Sequence, residues 1–246
     1  MSRPSVSQDC ALQVIARIHN DFPTKFGLPR QSGMVAGITG RIVFEPRYRQ
    51  PEALRGLEGF SHIWLIWGFS KARRDAWSAT VRPPRLGGNA RIGVFATRSP
   101  YRPNALGLSC VKLEGIDQGG PLGLVLRVSG ADLMDGTPIY DIKPYLPYAD
   151  SVPEARDGFV GGRERPMLSV EIPRDLLDVI PADKRGGLVG ALENDPRPAY
   201  LDEPQRVYGF LYAGFDVRFT VNEGTLKVLE VVTLTDVQQQ AYNGPL

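Results

Sequence analysis

Cysteine and histidine are scarce in this chain, whose 246 residues include two of each, namely Cys10, Cys110, His19 and His62. So few thiols exclude a disulfide framework and favour a reducing compartment. The same scarcity argues against a metal site built from thiolates and imidazoles, because such sites need several of these ligands. We therefore expect no bound metal.

Long hydrophobic runs are missing as well. The most apolar run, residues 60–69, is far too short to cross a bilayer and contains a histidine. The first residues, MSRPSVSQDC, contain no apolar signal-peptide segment. These absences predict a cytoplasmic protein that makes no membrane contact.

Three nucleotide and nucleophile motifs are also absent: GxGxxG after a strand, GxxxxGK followed by Ser or Thr, and GxSxG. The glycine-rich stretch at 186–190 matches none of them and is interpreted as punctuation between a helix and a loop. Any nucleotide-like cofactor must therefore be held by a site of another kind.

Charge is nearly balanced over the whole chain, with a net charge of +2, but it is unevenly distributed. Asp75 is the only acid between residues 71 and 104, whereas acids predominate between 127 and 160. One face could be built for a polyanion, or the two stretches could pair with each other on the surface; the sequence weighs these evenly. The basic residues are Lys71, Arg73, Arg74, Arg82, Arg85, Arg91, Arg98 and Arg102.

Alternation of apolar and polar residues dominates the first 145 residues and predicts short β-strands. Strands of this kind, separated by irregular loops, indicate an antiparallel barrel or sandwich. The predicted strands cover 12–18, 34–44, 60–69, 91–97, 107–116, 122–128 and 138–143.

The composition changes near residue 150, where the stretch 150–166 is interpreted as a polar linker. Beyond it we expect a strand at 167–172 and a helix at 174–193, interrupted at Pro181 and at Gly186-Gly187. Three closing strands are predicted at 206–213, 215–221 and 225–234, with a hairpin loop at 222–224. The division is a mainly β N-terminal domain, 1–155, followed by a small α+β domain, 156–246.

The loop 97–104, TRSPYRPN, places Arg98, Arg102 and Asn104 between two apolar segments. Arginine is a fork of donors for a carboxylate or phosphate, and the two prolines restrict the backbone that presents it. The alternative is a rigid turn with solvated arginines, which is less attractive for two arginines than for one.

Asp132 and Asp135 lie three residues apart in GADLMDGTP, residues 130–138. Clustered carboxylates can bind ribose hydroxyls, meet a cation or act as a base, but they also accept backbone hydrogen bonds in turns. A structural role is favoured for at least one of them. The stretch KFGLPRQSG, 25–33, is by itself an ordinary loop.

Together the stretches KFGLPRQSG, RGLEGFSHIWLIWGF, TVRPPRLGGNARIGVFATRSPYRPNALGLS and GADLMDGTPIYDIKPYLPYADSVP resemble the tRNA (adenine-37-N6)-methyltransferase family. The resemblance covers most of residues 12–153, and the motif DPRPAY at 195–200 is similar to longer bacterial members. It implies a single-sheeted antiparallel β-barrel that uses S-adenosylmethionine. It also implies a homodimer that methylates N6 of threonylcarbamoyladenosine in the tRNA anticodon loop.

Roles for individual residues follow partly from the resemblance and partly from the charge and chemistry of the side chains. Asp135 is the candidate base, with Arg98 and Asn104 as further catalytic candidates. Arg74, Arg82, Arg85 and Arg102, in the basic stretch, are candidate RNA contacts. The implied cofactor contacts are Arg30, Gln31, Ser32, Ser70, Lys71, Arg98, Leu108, Asp132, Leu133, Met134 and Asp135.

Two other functions remain open at this point. A non-enzymatic barrel that binds a nucleotide or anion and regulates a partner would need only the basic loops. A hydrolase using Asp132 and Asp135 is weaker, because nothing identifies a nucleophile or a metal.

Overall fold

The computed structural model describes residues 11–71, 77–83, 86–87, 89–161, 166–197, 203 and 205–235, and these residues are mainly β-strand. The strands of the first part are β1 (Ala16–Asn20), β2 (Thr39–Phe44), β3 (His62–Gly68), β4 (Thr80–Val81), β5 (Ile92–Gly93), β6 (Leu106–Asp117), β7 (Val125–Ser129) and β8 (Pro138–Pro144). The later strands are β9 (Ser169–Glu171), β10 (Tyr208–Tyr212), β11 (Phe215–Asn222) and β12 (Thr225–Thr233). The α-helices are α1 (Pro147–Asp150), α2 (Arg174–Val179) and α3 (Ala182–Glu193).

Six strands close into an antiparallel barrel in the order β1-β2-β7-β6-β3-β8. Closure pairs Ala16 of β1 with Ile139 of β8, and both side chains are fully buried. Alternation accounts for the barrel core, because every second side chain of a strand points to the same face. The prediction of a mainly β fold with an antiparallel barrel is therefore confirmed.

Strand β3 lies between β6 and β8 and shows why the sequence folds this way. Ile63, Leu65 and Trp67 alternate into the barrel and are nearly or fully buried. The Trp67 ring lies over Gly107 of β6, where an added Cβ would come within 2.2 Å of the indole. Glycine at this position therefore lets the indole reach across the neighbouring strand.

The later strands form a separate four-stranded sheet in the order β10-β11-β12-β9. The turn between β11 and β12 consists of Glu223 and Gly224, whose φ angles of 45° and 79° suit a two-residue hairpin. Helices α2 and α3 accompany this sheet, and Leu188 and Leu192 of α3 belong to its hydrophobic core.

Part of the N-terminal chain packs on this second core instead of the barrel core. Phe22, Val35 and Ile38 lie between β1 and β2 and are buried among residues of the later sheet. Gly37 meets α3 so closely that an added Cβ would lie 2.9 Å from the backbone of Gly186. The segment that carries residues 30–33 is thus supported by residues beyond 166.

Three sequence predictions need correction. The strand predicted at 91–97 ends at Gly93, and Val94–Ala96 forms a 3-10 helix because Thr97 closes a turn onto the Val94 carbonyl. The strand predicted at 34–44 begins only at Thr39. The helix predicted at 174–193 does break at Pro181, but α3 continues through 186–190, so these glycines are not punctuation.

Every helix among the described residues is too short or too polar to cross a membrane.

Candidate active site

Three loops meet at one end of the barrel: residues 30–33, 97–104 and 130–135. The first and third are joined by a backbone hydrogen bond of 2.8 Å from the Gly33 N–H to the Gly130 carbonyl. The first and second are joined by the Arg98 guanidinium, whose Nη1 donates to Oε1 of Gln31. The fold therefore brings together Gln31, Ser32, Arg98 and Asp132, which the resemblance had placed in one site.

The Asp132 carboxylate lies at the junction of these three loops. It accepts a hydrogen bond from the backbone N–H of Ser32 and lies within the electrostatic reach of Arg98. Burial raises the pKa of Asp132, because an ionised carboxylate loses hydration there. The hydrogen bonds and the positive charge of Arg98 act in the opposite direction and offset only part of that rise.

Two barrel residues support Asp132 from inside. The indole Nε1 of Trp67 donates to Oγ of Ser109 at 2.9 Å, and that hydroxyl donates to Oδ1 of Asp132 at 2.5 Å. Ser109 is only 1% exposed, so the chain of donors is shielded from water. Sequence reasoning missed both residues; the available signal was a serine at an inward position of the strand predicted at 107–116.

The loop 97–104 is shaped by hydroxyl groups as well as by its prolines. Oγ1 of Thr97 accepts the N–H of Ser99 at 3.2 Å, and Oγ of Ser99 accepts the N–H of Tyr101 at 3.3 Å. Arg102 donates from Nη1 to the Thr97 carbonyl at 3.1 Å. The loop is thus internally braced, and Arg98 extends from it toward Gln31.

Asp135 occupies a different environment from Asp132. Its Oδ1 accepts the N–H of Asn20 at 3.0 Å and lies 3.3 Å from Nδ1 of His19. Its own N–H donates to the Phe22 carbonyl at 2.8 Å. These contacts are those of a carboxylate that caps the end of β1, which supports the structural alternative; a role as base stays a prediction.

Leu133 and Leu108, two of the candidate cofactor contacts, differ sharply in their exposure to solvent. The Leu133 side chain is 1% exposed within the barrel core, and its carbonyl accepts Nδ2 of Asn20 at 2.6 Å. A ligand from the solvent would therefore meet the backbone of Leu133 and not its side chain, and its role as a cofactor contact stays a prediction. Leu108 is 55% exposed, and Met134 between the two aspartates is half-buried.

Arg30 reaches away from the junction toward the later part of the chain. Its Nη2 donates to the carbonyls of Asp195 at 3.2 Å and Arg197 at 3.1 Å. Asp195 and Arg197 form a buried ion pair of 2.9 Å. The arginine thus ties the loop at 30–33 to the segment after α3, which is the beginning of the motif at 195–200; residues 198–200 lie outside the described residues.

The remaining candidates lie on the surface. Ser70 and Lys71 are exposed directly after β3, and Asn104 is exposed, with its carbonyl accepting the N–H of Leu106 at 2.7 Å. Arg82 is exposed after β4. Arg74 and Arg85 lie outside the described residues.

The junction offers a partly buried carboxylate, a guanidinium and several backbone and amide groups within one small area. Such a set can hold a zwitterionic ligand, because the carboxylate binds cations or hydroxyls and the guanidinium binds a carboxylate. The described residues include no group of three or more His, Cys, Asp and Glu side chains placed to hold a metal ion.

Comparison with known proteins gives two matching family models, the tRNA-methyltransferase O N-terminal domain over residues 17–151 and the TrmO C-terminal domain over residues 187–234. A tRNA (adenine(37)-N6)-methyltransferase of Escherichia coli is 39% identical over 225 residues, which cover 87% of this chain and 94% of that protein. A Pseudomonas aeruginosa protein, provisionally named an S-adenosylmethionine-dependent methyltransferase, is 42% identical over 83% of this chain and 90% of its own length.

A solved structure is similar over nearly the whole chain. The crystal structure of TrmO from Pseudomonas aeruginosa superposes with a TM-score of 0.73 at 33% identity, covering 94% of this chain and 100% of that one.

Proposed function

Since the chain belongs to the tRNA-methyltransferase O family, we propose that it transfers a methyl group from S-adenosylmethionine to N6 of threonylcarbamoyladenosine at position 37 of tRNA. The chain is thus an S-adenosylmethionine-dependent tRNA methyltransferase, and neither the regulatory barrel nor the hydrolase accounts for its relatives. The threonylcarbamoyl group and the anticodon loop are the parts of the proposal that go beyond those names.

One observation carries the assignment of the site: Asp132, Arg98, Gln31 and Ser32 are brought together from three separate loops. S-adenosylmethionine carries an α-carboxylate, an α-ammonium and ribose hydroxyls. The guanidinium of Arg98 suits the α-carboxylate, and the Asp132 carboxylate can accept hydrogen bonds from the ribose hydroxyls, which are uncharged partners and leave it able to act as a base. The donor set of the junction therefore fits the cofactor.

When bound, S-adenosylmethionine supplies a methyl group activated by attachment to a positively charged sulfur. The chain's own contribution to a displacement at that carbon is largely positioning, which removes much of the entropic barrier. Gln31 and Arg98 hold two loops in register, and the hydrogen bond between Gly33 and Gly130 fixes the third. The site is thus ordered by contacts among its own residues.

A proton must also leave the acceptor nitrogen, which belongs to a ureido group. We assign its acceptance to the Asp132 carboxylate, because burial raises the pKa of Asp132 and so makes it a better base than an exposed aspartate. The Asp135 carboxylate, the first candidate for this base, already accepts the N–H of Asn20, which supports a structural role for it. Methyl transfer should therefore depend on Asp132 more than on Asp135.

The RNA is expected to approach over the basic stretch. Arg82 is exposed there, and Arg102 lies in the same loop as Arg98. Arginines contact phosphates, while single-stranded loops such as the anticodon loop offer unstacked bases. We also propose that the enzyme is a cytoplasmic homodimer, that it works without a metal, and that residues 156–246 form a second domain able to contact tRNA.

The decisive experiment incubates the purified protein with methyl-labelled S-adenosylmethionine and tRNA from cells that lack it. Nucleoside digestion and mass spectrometry should show N6-methylated threonylcarbamoyladenosine, and tRNA lacking the threonylcarbamoyl group should remain unmodified. Labelling of a different nucleoside would contradict the proposed substrate. Excess chelator should leave the reaction unchanged, and sedimentation should give a dimer.

A further inference from the structure

Two large aromatic side chains are exposed to solvent beside the loop that carries Arg98. Trp77 is 53% exposed and Phe95 is 72% exposed, and their rings stack with centroids 6.3 Å apart and planes inclined by 27°. Single exposed hydrophobic residues are ordinary on protein surfaces. A stacked aromatic pair with this much surface in water is less ordinary and points to a binding surface.

The backbone holds the two rings side by side. Strands β4 and β5 pair with Thr80 opposite Gly93, and the Val94 N–H donates to the Ala79 carbonyl at 2.9 Å. Trp77 lies before β4 and Phe95 after β5, so they stand at the open end of this short hairpin. Backbone pairing thus positions the two aromatic rings, which together with Arg102 form a surface called here the platform.

Arg102 adds a positive charge to the platform. Its guanidinium carbon lies 6.0 Å from the Phe95 ring centroid, within the range of a cation–π contact. The hydrogen bond from Arg102 to the Thr97 carbonyl fixes it next to Arg98. The aromatic pair, the basic loop and the candidate active site are therefore continuous.

On the basis of the proposed function, we propose that the platform stacks against an unpaired base of the anticodon loop that flanks the acceptor adenosine. Aromatic rings and arginine planes are the groups on which proteins stack splayed-out RNA bases. The charge of the segment agrees, because residues 77–104 contain five arginines and no aspartate or glutamate. A polyanion complements that surface, whereas an identical basic segment on a second copy of the chain would repel it.

The test measures the affinity of Trp77→Ala, Phe95→Ala and the double variant for an anticodon stem-loop that carries the modified adenosine. Stacking on one aromatic ring contributes enough that each single variant should bind about 5- to 100-fold more weakly. Trp77→Phe should retain most of the affinity, because it keeps a ring. Tyr148→Ala is the matched control, since Tyr148 is an aromatic residue 87% exposed on α1.

A second set of RNAs identifies the contact. Each nucleotide flanking the acceptor is replaced in turn by an abasic site. At one position, the wild-type protein should bind the abasic RNA as weakly as the platform variants bind the intact RNA. With that RNA the platform variants should lose little further affinity. The platform would be overturned if the variants lost the same affinity on the intact RNA and on every abasic RNA. It would also be overturned if the variants lost no affinity at all.

Two controls separate base stacking from cofactor binding and from self-association. The affinity for S-adenosylmethionine should be the same in all variants, and a change in sedimentation with unaltered RNA affinity would make the aromatic pair an interface between copies. If the wild-type protein transfers no methyl group to tRNA, the proposed function fails. If it does, and Trp77→Ala with Phe95→Ala binds RNA normally, only the platform fails.

Discussion

Ser109 of β6 donates a hydrogen bond of 2.5 Å to the carboxylate of Asp132, although 23 residues separate them in the sequence. The same hydroxyl accepts the indole N–H of Trp67, so that one buried side chain links the barrel core to the candidate active site. The position of Asp132 is therefore set by the barrel itself.

Ser109→Ala should lower both stability and activity. The indole N–H of Trp67 would be left buried without its acceptor, which costs about 1–3 kcal/mol of unfolding free energy. The hydrogen bond from Ser109 lowers the pKa of Asp132, so its removal raises that pKa further. A pH profile of single-turnover transfer should consequently shift to higher pH.

Ser129→Ala is the control for this variant, because Ser129 is a buried serine that donates to Glu114 at 2.6 Å. It should lose stability without a shift of the pH profile. An unshifted profile in Ser109→Ala would remove Asp132 from the proton transfer.

Asp132→Asn and Asp135→Asn separate the two aspartates. The amide at 132 loses its charge and most of its basicity, so the single-turnover rate at saturating cofactor should fall about 10²- to 10⁴-fold. The amide at 135 still accepts the Asn20 N–H and should keep a rate close to that of the wild type. The reverse order of rates would restore Asp135 as the base.

The stability of Asp132→Asn should depend on pH in a defined direction. Since burial raises the pKa of Asp132 above its ordinary value of 3.8, the folded chain binds more protons than the unfolded chain between these two values. The wild type therefore loses stability as pH rises through that window, and the asparagine variant lacks this loss. Thermal melting at several pH values should show the stability of the variant increasing relative to the wild type as the pH rises above about 4.

Adjacent glycines of α3 should respond oppositely to alanine. An added Cβ at Gly186 meets nothing within 4 Å, so Gly186→Ala should stabilise the helix by about 0.5–1 kcal/mol. At Gly187 the Cβ would lie 2.4 Å from the Tyr212 hydroxyl and 3.0 Å from the Gly37 carbonyl, and overpacking there should cost about 1–3 kcal/mol.

Cofactor affinity gives a second measure of the contact between Gly37 and Gly187. Gly37 belongs to the segment that follows residues 30–33, which carry candidate cofactor contacts. Gly187→Ala should weaken S-adenosylmethionine binding in calorimetry, and Gly186→Ala should not. Equal melting temperatures and affinities for the two variants would show that α3 does not position this loop.

The sequence indicated local features of the fold well and long-range ones poorly. Alternation of Ile63, Leu65 and Trp67 predicts β3, and Glu223-Gly224 predicts the last hairpin, because each signal lies within a few residues. The contact of Gly37 with α3 joins residues about 150 positions apart, and no local pattern reports it. This contact explains why glycines read as punctuation are packed inside a helix.

The candidate site shows the same division. The resemblance supplied Gln31, Ser32, Arg98 and Asp132, but it assigned Asp132 and Asp135 to one pocket. The two carboxylates have different partners, because the turn after Asp132 brings Asp135 to the end of β1, and a shared pocket stays a prediction. That geometry depends on Asn20 and Phe22, more than 100 residues earlier, which spacing within the motif does not encode.

Arg82→Ala should weaken tRNA binding without changing the methyl-transfer step. If this exposed arginine meets a phosphate, its removal releases fewer counterions, and the slope of log affinity against log salt should fall by about 0.7–0.9. Arg127→Ala is the matched control, since it removes the same charge from the barrel surface, where Arg127 already pairs with Asp117 at 3.1 Å. The triple variant of Arg74, Arg82 and Arg85 should lower the slope further, while single-turnover rates at saturating RNA stay near the wild-type value. An equal slope in Arg82→Ala, the triple variant and the wild type would mean that these arginines are hydrated surface residues that do not contact RNA. The RNA would then have to approach the candidate site from another side.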